Sequence, residues 1–301
     1  MQKENDVLET TLAIAENGYA EAYRYLLDAY EANTGNFGSQ TLYFLACLAG
    51  GAEMPKEALA WLRRAIADNG WWYRPEVLAD DDLAPLKDHA EFLALKAVSD
   101  RRYAEAAAET KAQFSWQGKT ADNVLLAVHG NTQNAQTARN DWQPIVGGDG
   151  AWQLETIQSA EPDSYGTYRW RYDEASYLPV AQAMEAMQGA GYQQIVCGGF
   201  SAGCDMLLRA ILLSPARCDA LILQSPWIPL LEEQGEGLMD ALRQKRIRLT
   251  ILCGAEDEDC LPLARQLHDA AKEAGVSSRL RLQADSRHQF PSVPCALREL
   301  L

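Results

Sequence analysis

Residues 199–203 read Gly-Phe-Ser-Ala-Gly, a G-x-S-x-G pentapeptide centred on Ser201. A serine hydroxyl is a weak nucleophile by itself. It attacks a carbonyl only where a neighbouring base takes its proton and a third group orients that base. The flanks suit such a role. "YQQIVCGGF" (192–200) reads as a strand, and "AGCDMLLRAILLS" (202–214) has the apolar spacing of a helix. A strand-to-helix turn this sharp lifts the serine clear of the sheet, and residues 199 and 203 must then be small. The N–H of Ala202 opens the helix and is a candidate donor to a developing oxyanion. The alternative is a serine in an ordinary tight turn that happens to lie between glycines.

The base and its orienter are expected at the ends of later strands. "LTILC" is followed by "GAEDEDC", and "SRLRLQA" by "DSRHQFP". His288 is the last of four histidines and the one between a strand end and a terminal helix. His89 lies in the helical first half and His268 on a helix face. In the acid loop Glu256, Asp257, Glu258 and Asp259 crowd together; Asp257, three residues after Gly254, is the first candidate and Asp259 the second. A second oxyanion donor is expected from "LLAVHGNTQNAQ", where Gly130 would let the chain turn so that the N–H of Asn131 faces Ser201. His129 precedes the serine in the chain and is expected to brace this loop.

The elements that must hold these residues fall into two halves of different rhythm. Residues 1–110 are rich in Ala and Leu, with apolar positions recurring at three and four, and read as successive helices. Residues 111–301 alternate short apolar runs with amphipathic helical stretches. Runs at 123–130, 152–160, 192–200, 218–226, 249–255 and 278–284 are the expected strands, with "AQFSW" (112–116) as an edge strand. This alternation implies an α/β domain with a mostly parallel sheet covered by helices on both faces.

Composition narrows the functional classes. The chain has 301 residues, 48% hydrophobic and 23% charged, with a formal net charge of −15. That balance is globular, and it excludes nucleic acid as an expected partner because phosphate binding needs a basic face. The first ten residues carry no apolar core and no apolar run reaches the ~18 residues of a membrane span, so a cytoplasmic chain without membrane contact is expected. Seven cysteines without C-x-x-C spacing, several inside apolar runs, read as reduced buried thiols. The histidines show no ligand spacing. No metal and no cofactor is expected.

Two resemblances add to this reading. "GYAEAYRYLLDAYEA" carries Ala22, Leu26 and Ala29, and "MPKEALAWLRRAIAD" repeats the spacing 36 residues later with Ala58, Leu62 and Ala65. The first half therefore resembles tetratricopeptide repeats, with "LADDDLAPLKDHAEFLALKAV" (78–98) similar to the short helix that follows a last repeat. A protein or peptide partner on this half is the implied use. On "VHGN", "GGFSAG", "GAED" and "RHQFP" in that order, the second half resembles an α/β-hydrolase of the small serine-esterase kind, similar to the phospholipase/carboxylesterase and dienelactone-hydrolase-like families. That resemblance implies Ser201 as nucleophile, His288 as general base and acid, Asp257 as orienter, and the N–H groups of Asn131 and Ala202 as oxyanion donors. A small-molecule ester is the implied substrate, cleaved through an acyl-enzyme.

About twenty residues separate the strands ending near 224 and beginning near 249, room for one helix and no large cap, so small or short-chain acyl groups are expected. "GTYRWRYDEASY" (166–177) is placed at the pocket mouth with Trp170, Arg171 or Tyr172 on the substrate, or else packs as a surface loop. Two other functions fit the same residues: a peptidase or amidase using the same triad, and a non-catalytic adaptor that binds peptides through the helical repeats.

Overall fold

The computed structural model describes residues 3–33, 35, 37–148, 150–291 and 297–300. Cys295 lies outside them. By their contacts the residues fall into two units, one of Met1–Thr110 with Pro162–Thr167 and one of Lys111–Glu161 with Tyr168–Leu301.

The first unit is helical: α1 (Glu4–Ala15), α2 (Tyr19–Ala32), α3 (Ser39–Gly51), α4 (Pro55–Arg63) and α5 (Ala90–Glu109). Small residues set its packing. Ala22 and Leu26 on α2, Ala58 and Leu62 on α4 and Ala65 just beyond are fully buried in one core. In α3, Gly50 admits the backbone of a neighbouring turn, since a Cβ there would lie 2.1 Å from the Asp82 carbonyl oxygen. Pro55 opens α4 at a position where no N–H is needed. The helix widens into a π turn over Arg64–Asp68 and stops at Gly70, whose φ of 74° suits a glycine.

Residues 78–98 differ from the expected short helix. They form 3-10 turns at Val77–Ala79 and Asp81–Leu86, and then enter the 20-residue α5. The reason is local. Asp80 accepts from the Asp82 N–H at 2.8 Å and starts a tight turn, Pro85 lacks an N–H, and His89 Nδ1 accepts from Glu91 N–H to begin α5. Residues 162–167 belong to this unit through Arg74 Nε, 3.1 Å from Asp163 Oδ1, and Ser39 Oγ, 2.9 Å from Ser164 Oγ.

The second unit is built on strands β1 (Gln113–Phe114), β2 (Asn123–Val128), β3 (Trp152–Gln158), β6 (Gln194–Phe200), β7 (Ala220–Gln224), β8 (Arg248–Gly254) and β9 (Ser278–Gln283), in the order β1-β3-β2-β6-β7-β8-β9. A separate hairpin, β4 (Glu161–Ser164) and β5 (Thr167–Arg169), interrupts the series. All sheet pairs are parallel except β1 on β3. This is the mostly parallel sheet that the sequence implies. Leu125, Ala127, Val196 and Ile222 join one core, and Val124, Leu126, Cys197 and Leu223 the other. Alternate side chains thus feed two layers of helices. α6 (Ala135–Val146) packs on the first core; α7 (Glu174–Gly189), α8 (Ala202–Leu213), α9 (Leu230–Gln244) and α10 (Cys260–Glu273) pack on the second. A short α11 (Leu297–Leu300) follows. Register brings the carboxyl ends together: Val128 lies opposite Gly199, Phe200 opposite Gln224, Gln224 opposite Leu252, and Gly254 opposite Gln283. Loops leaving these ends share one edge of the sheet, where open α/β sheets bind ligands. Among the described residues no helix is long and apolar enough to cross a membrane.

Leu62→Ala removes a fully buried side chain from the helical core. We expect a loss of about 2–5 kcal/mol in urea unfolding, whereas Leu93→Ala, at a side chain 51% exposed, should stay within about 0.5 kcal/mol.

Candidate active site

Ser201 occupies the turn between β6 and α8 at φ 51° and ψ −123°. A residue with a Cβ seldom adopts this conformation, and it persists only where the surroundings fix it. Here the Ser201 N–H donates to the Gln224 carbonyl at 3.0 Å, and the Ser201 carbonyl accepts from the N–H groups of Cys204 at 3.0 Å and Trp227 at 3.3 Å. The flanking glycines are a matter of space. A Cβ at Gly203 would sit 2.5 Å from the His129 carbonyl oxygen, and one at Gly199 would sit 2.8 Å from the Cys204 nitrogen. Ala202 is the first residue of α8, so its N–H has no acceptor within the helix.

The loop after β2 closes over the serine. A Cβ on Gly130 would lie 3.2 Å from the Ser201 Cβ and 2.8 Å from Phe200 Cδ1. Gly130 is therefore required for close approach. The left-handed residue that turns this loop is Thr132, at φ 59°, and not Gly130. Among the described residues the N–H groups of Asn131 and Ala202 have no protein acceptor. His129 is buried beneath the loop. Its Nε2 accepts from the Ser159 N–H at 3.2 Å, so the proton sits on Nδ1, which donates to the Gly130 carbonyl at 2.7 Å. Burial pushes this imidazole down to about 4, against the Gly130 bond that works to raise it. Gln133 completes the brace by accepting the Gly130 N–H through Oε1 at 2.9 Å.

The acid and the histidine meet at the next strand ends. His288 Nδ1 lies 2.9 Å from Asp257 Oδ2. Glu256, Glu258 and Asp259 are exposed, whereas Asp257 is 2% exposed. Burial works to raise the Asp257 carboxyl. The His288 hydrogen bond and charge, the Cys260 N–H at 3.0 Å and the Ser225 hydroxyl together hold it below its ordinary value. The two loops are zipped together: the Glu256 N–H donates to the Ser286 carbonyl at 3.0 Å, and Gly254 leaves room for Ser286, whose oxygen would lie 2.2 Å from a Cβ. The His288 ring then lies 5.1 Å from the ring of Phe200, the residue before Ser201. Nδ1 faces the carboxylate, which leaves Nε2 as the nitrogen able to serve as a base.

The segment 166–177 divides three ways. Trp170 is buried; its indole stacks on His129 at 4.8 Å and donates to the His129 carbonyl at 2.8 Å. It is a brace of the Asn131 loop and not part of a pocket mouth. The Arg171 guanidinium is half-exposed and pairs with Glu161 and Asp173, each at 3.2 Å. Tyr172 is partly buried, and the Asn131 amide and Trp227 indole are both donors to its phenol oxygen.

Several participants were not singled out from sequence. Gln224 and Ser225 follow β7, and Gln224 Nε2 bonds both Ser225 Oγ at 3.2 Å and the Gln289 carbonyl at 3.3 Å. Trp227, a large exposed side chain just after a strand end in "QSPWIP", carried a readable signal. Cys260 Sγ lies 3.5 Å from His288 Nδ1. Asp257, Cys260 and His288 form the one grouping of metal-binding types among the described residues. Burial pushes the Cys260 thiol well up, which leaves it a neutral neighbour and a poor ligand. The six described cysteines are all buried and unpaired.

Comparisons with known proteins agree with this architecture. Residues 3–107 match the family model of the A/B hydrolase-like N-terminal domain. An uncharacterized protein from Bacillus cereus ATCC 10987 has a similar structure over 97% of this chain and 94% of its own, at 25% identity and a TM-score of 0.53. Esterase PE8 is similar over 64% of this chain and 99% of its own, at 15% identity and a TM-score of 0.48. Acyl-protein thioesterase 2 of Zea mays is similar over 61% and 93%, at 13% identity and a TM-score of 0.44. No curated protein sequence matches.

His129 generates a prediction about pH. Its folded-state pKa of about 4 lies below the ordinary 6.5. The unfolded chain therefore binds the extra proton between these values. The stability contribution is complete above pH 6.5 and is lost as pH falls toward 4, by about 3 kcal/mol. Urea unfolding at pH 7 and pH 4.5 should show this loss, and His129→Asn should lack most of that pH dependence.

Proposed function

We propose that this chain, which has the α/β-hydrolase fold and an N-terminal region matching the A/B hydrolase-like family, is a serine hydrolase cleaving carboxylic esters of small or short-chain acids. The observation that carries the reading is the combination of Ser201 in a strained strand-to-helix turn with His288 held 2.9 Å from a buried Asp257 at neighbouring strand ends.

In this reading the roles follow from chemistry. His288 Nε2 takes the proton of the Ser201 hydroxyl as Oγ adds to the ester carbonyl carbon. The carbonyl π electrons move to oxygen, and the N–H groups of Asn131 and Ala202 stabilise that oxyanion. The tetrahedral species collapses, the C–O bond to the alcohol breaks, and His288 returns the proton to the leaving oxygen. Water then attacks the acyl-enzyme by the same steps and frees the acid. Asp257 stays ionised throughout; the bonds that lower its pKa favour its charge beside the imidazolium. No metal takes part in these steps.

The preference for small acyl groups rests on one helix, α9, as the whole insertion between β7 and β8. A fluorophosphonate probe should label Ser201, and Ser201→Ala should abolish the labelling; a folded wild-type chain that takes no label overturns the reading. Asp257→Asn should lower kcat by about 10⁴. A panel of esters with lengthening acyl chains, run beside matched amides, should show kcat/KM highest for short esters. A preference for amides would instead make the chain a peptidase or amidase with the same residues.

A further inference from the structure

Tyr172 is the second residue beyond Trp170, in the stretch between β5 and α7, and its surroundings are unusual for a surface tyrosine. Two donors converge on its phenol oxygen: the side-chain amide of Asn131 and the indole of Trp227. Both residues belong to the serine's immediate frame. Asn131 follows Gly130, whose Cα comes so near Ser201 that no Cβ fits, and the Trp227 N–H donates to the Ser201 carbonyl at 3.3 Å. The Asn131 side chain is held from its other end as well, because Oδ1 accepts the Trp170 N–H at 2.8 Å.

The ring is fixed from behind. The Arg209 guanidinium lies 5.8 Å from the Tyr172 ring centroid. Arg209 is itself tied to the fully buried Asp205 at 2.5 Å and to Glu233 at 2.9 Å. Asp205 sits on α8, one turn after Ser201, and its other oxygen accepts the Leu230 N–H at 2.9 Å. The ring cannot swing without breaking this set of contacts.

This leaves one proton without a destination. A phenol has one O–H donor and accepts through the same oxygen. Both side-chain hydrogen bonds of Tyr172 are accepted ones, and no acceptor for its own O–H occurs among the described residues. A partly buried donor with no protein acceptor, beside the loop that carries the Asn131 N–H, awaits an oxygen from a ligand. Burial, listed against the weaker pull of its two donors, pushes this phenol up to about 12, so it keeps its proton at neutral pH.

We propose that the Tyr172 O–H is a third donor to the ester carbonyl oxygen, strengthening as that oxygen becomes the oxyanion. The inference rests on the serine-hydrolase reading above. The proton stays on Tyr172 throughout; a hydrogen bond forms as the oxygen gains charge and relaxes when the carbonyl re-forms. The two accepted bonds sharpen the role, since donors to a phenol oxygen polarise its O–H.

Tyr172→Phe removes the hydroxyl and keeps the ring. With rates normalised to sites titrated by fluorophosphonate, kcat for a short-chain ester should fall about 100-fold while KM changes less than about threefold. Binding of an alkylboronic acid, which forms a tetrahedral adduct on the serine, should weaken by a factor similar to the fall in kcat/KM. Tyr172→Leu is the second variant and should lose as much. A kcat within twofold of wild type, a loss confined to KM, or unchanged boronic-acid affinity overturns the proposal. A wild-type chain that takes no fluorophosphonate label is a different failure, that of the hydrolase reading itself.

Discussion

Ser201 is held at φ 51° and ψ −123°, a backbone conformation that costs about 1–3 kcal/mol for a residue with a Cβ. Most of the surrounding construction serves to keep it there. The carbonyl of Gln224 takes its N–H, and the N–H groups of Cys204 and Trp227 take its carbonyl. Gly199 and Gly203 let β6 and α8 close to distances that any side chain would forbid. The turn is thus over-determined by neighbours on β2 and β7, whose ends align in register with β6. Strain at one residue is balanced by the cohesion of a sheet whose central strands are buried on both faces.

The same economy governs the loops around it. Polar groups are almost all committed to holding other polar groups. His129, Gln133, Trp170 and Asn131 lock the loop after β2; Gln224 spans the loops that carry Ser225 and Gln289; Gly254 and Ser286 bind the acid loop to the histidine loop. Few groups are left uncommitted, and they converge: the N–H groups of Asn131 and Ala202 and the O–H of Tyr172. A set of fixed donors aimed at one place stabilises developing charge without reorganising, which is the main electrostatic device of acyl-transfer sites.

The parts legible in the sequence are those with a periodic or punctuated signal. Strands 123–128 and 249–254 stand out as apolar runs between turn residues, and the spacing Ala58, Leu62, Ala65 marks a helix face that packs closely. Ser201 and His288 were legible because they follow strands; Asp257 was chosen among four acids on its distance from Gly254, and burial is what separates it from its neighbours. The rest depends on tertiary contact. Nothing local distinguishes Trp170, a buried brace, from the exposed Trp227, and a glycine needed for its missing Cβ looks like one needed for its dihedral freedom, as Gly130 illustrates. The hairpin 161–169 was hidden because its strands are three and four residues long.

The central claim is that Ser201 carries the acyl group between two half-reactions. Its most direct measurement is acid quenching of the chain during turnover of a slowly hydrolysed short-chain ester, followed by mass spectrometry of the peptide containing residues 197–203. The account predicts one acyl group per chain, located on Ser201 and accumulating in a burst before steady state. Ester turnover with no acyl adduct, or with the adduct on a cysteine such as Cys204 or Cys260, would contradict it.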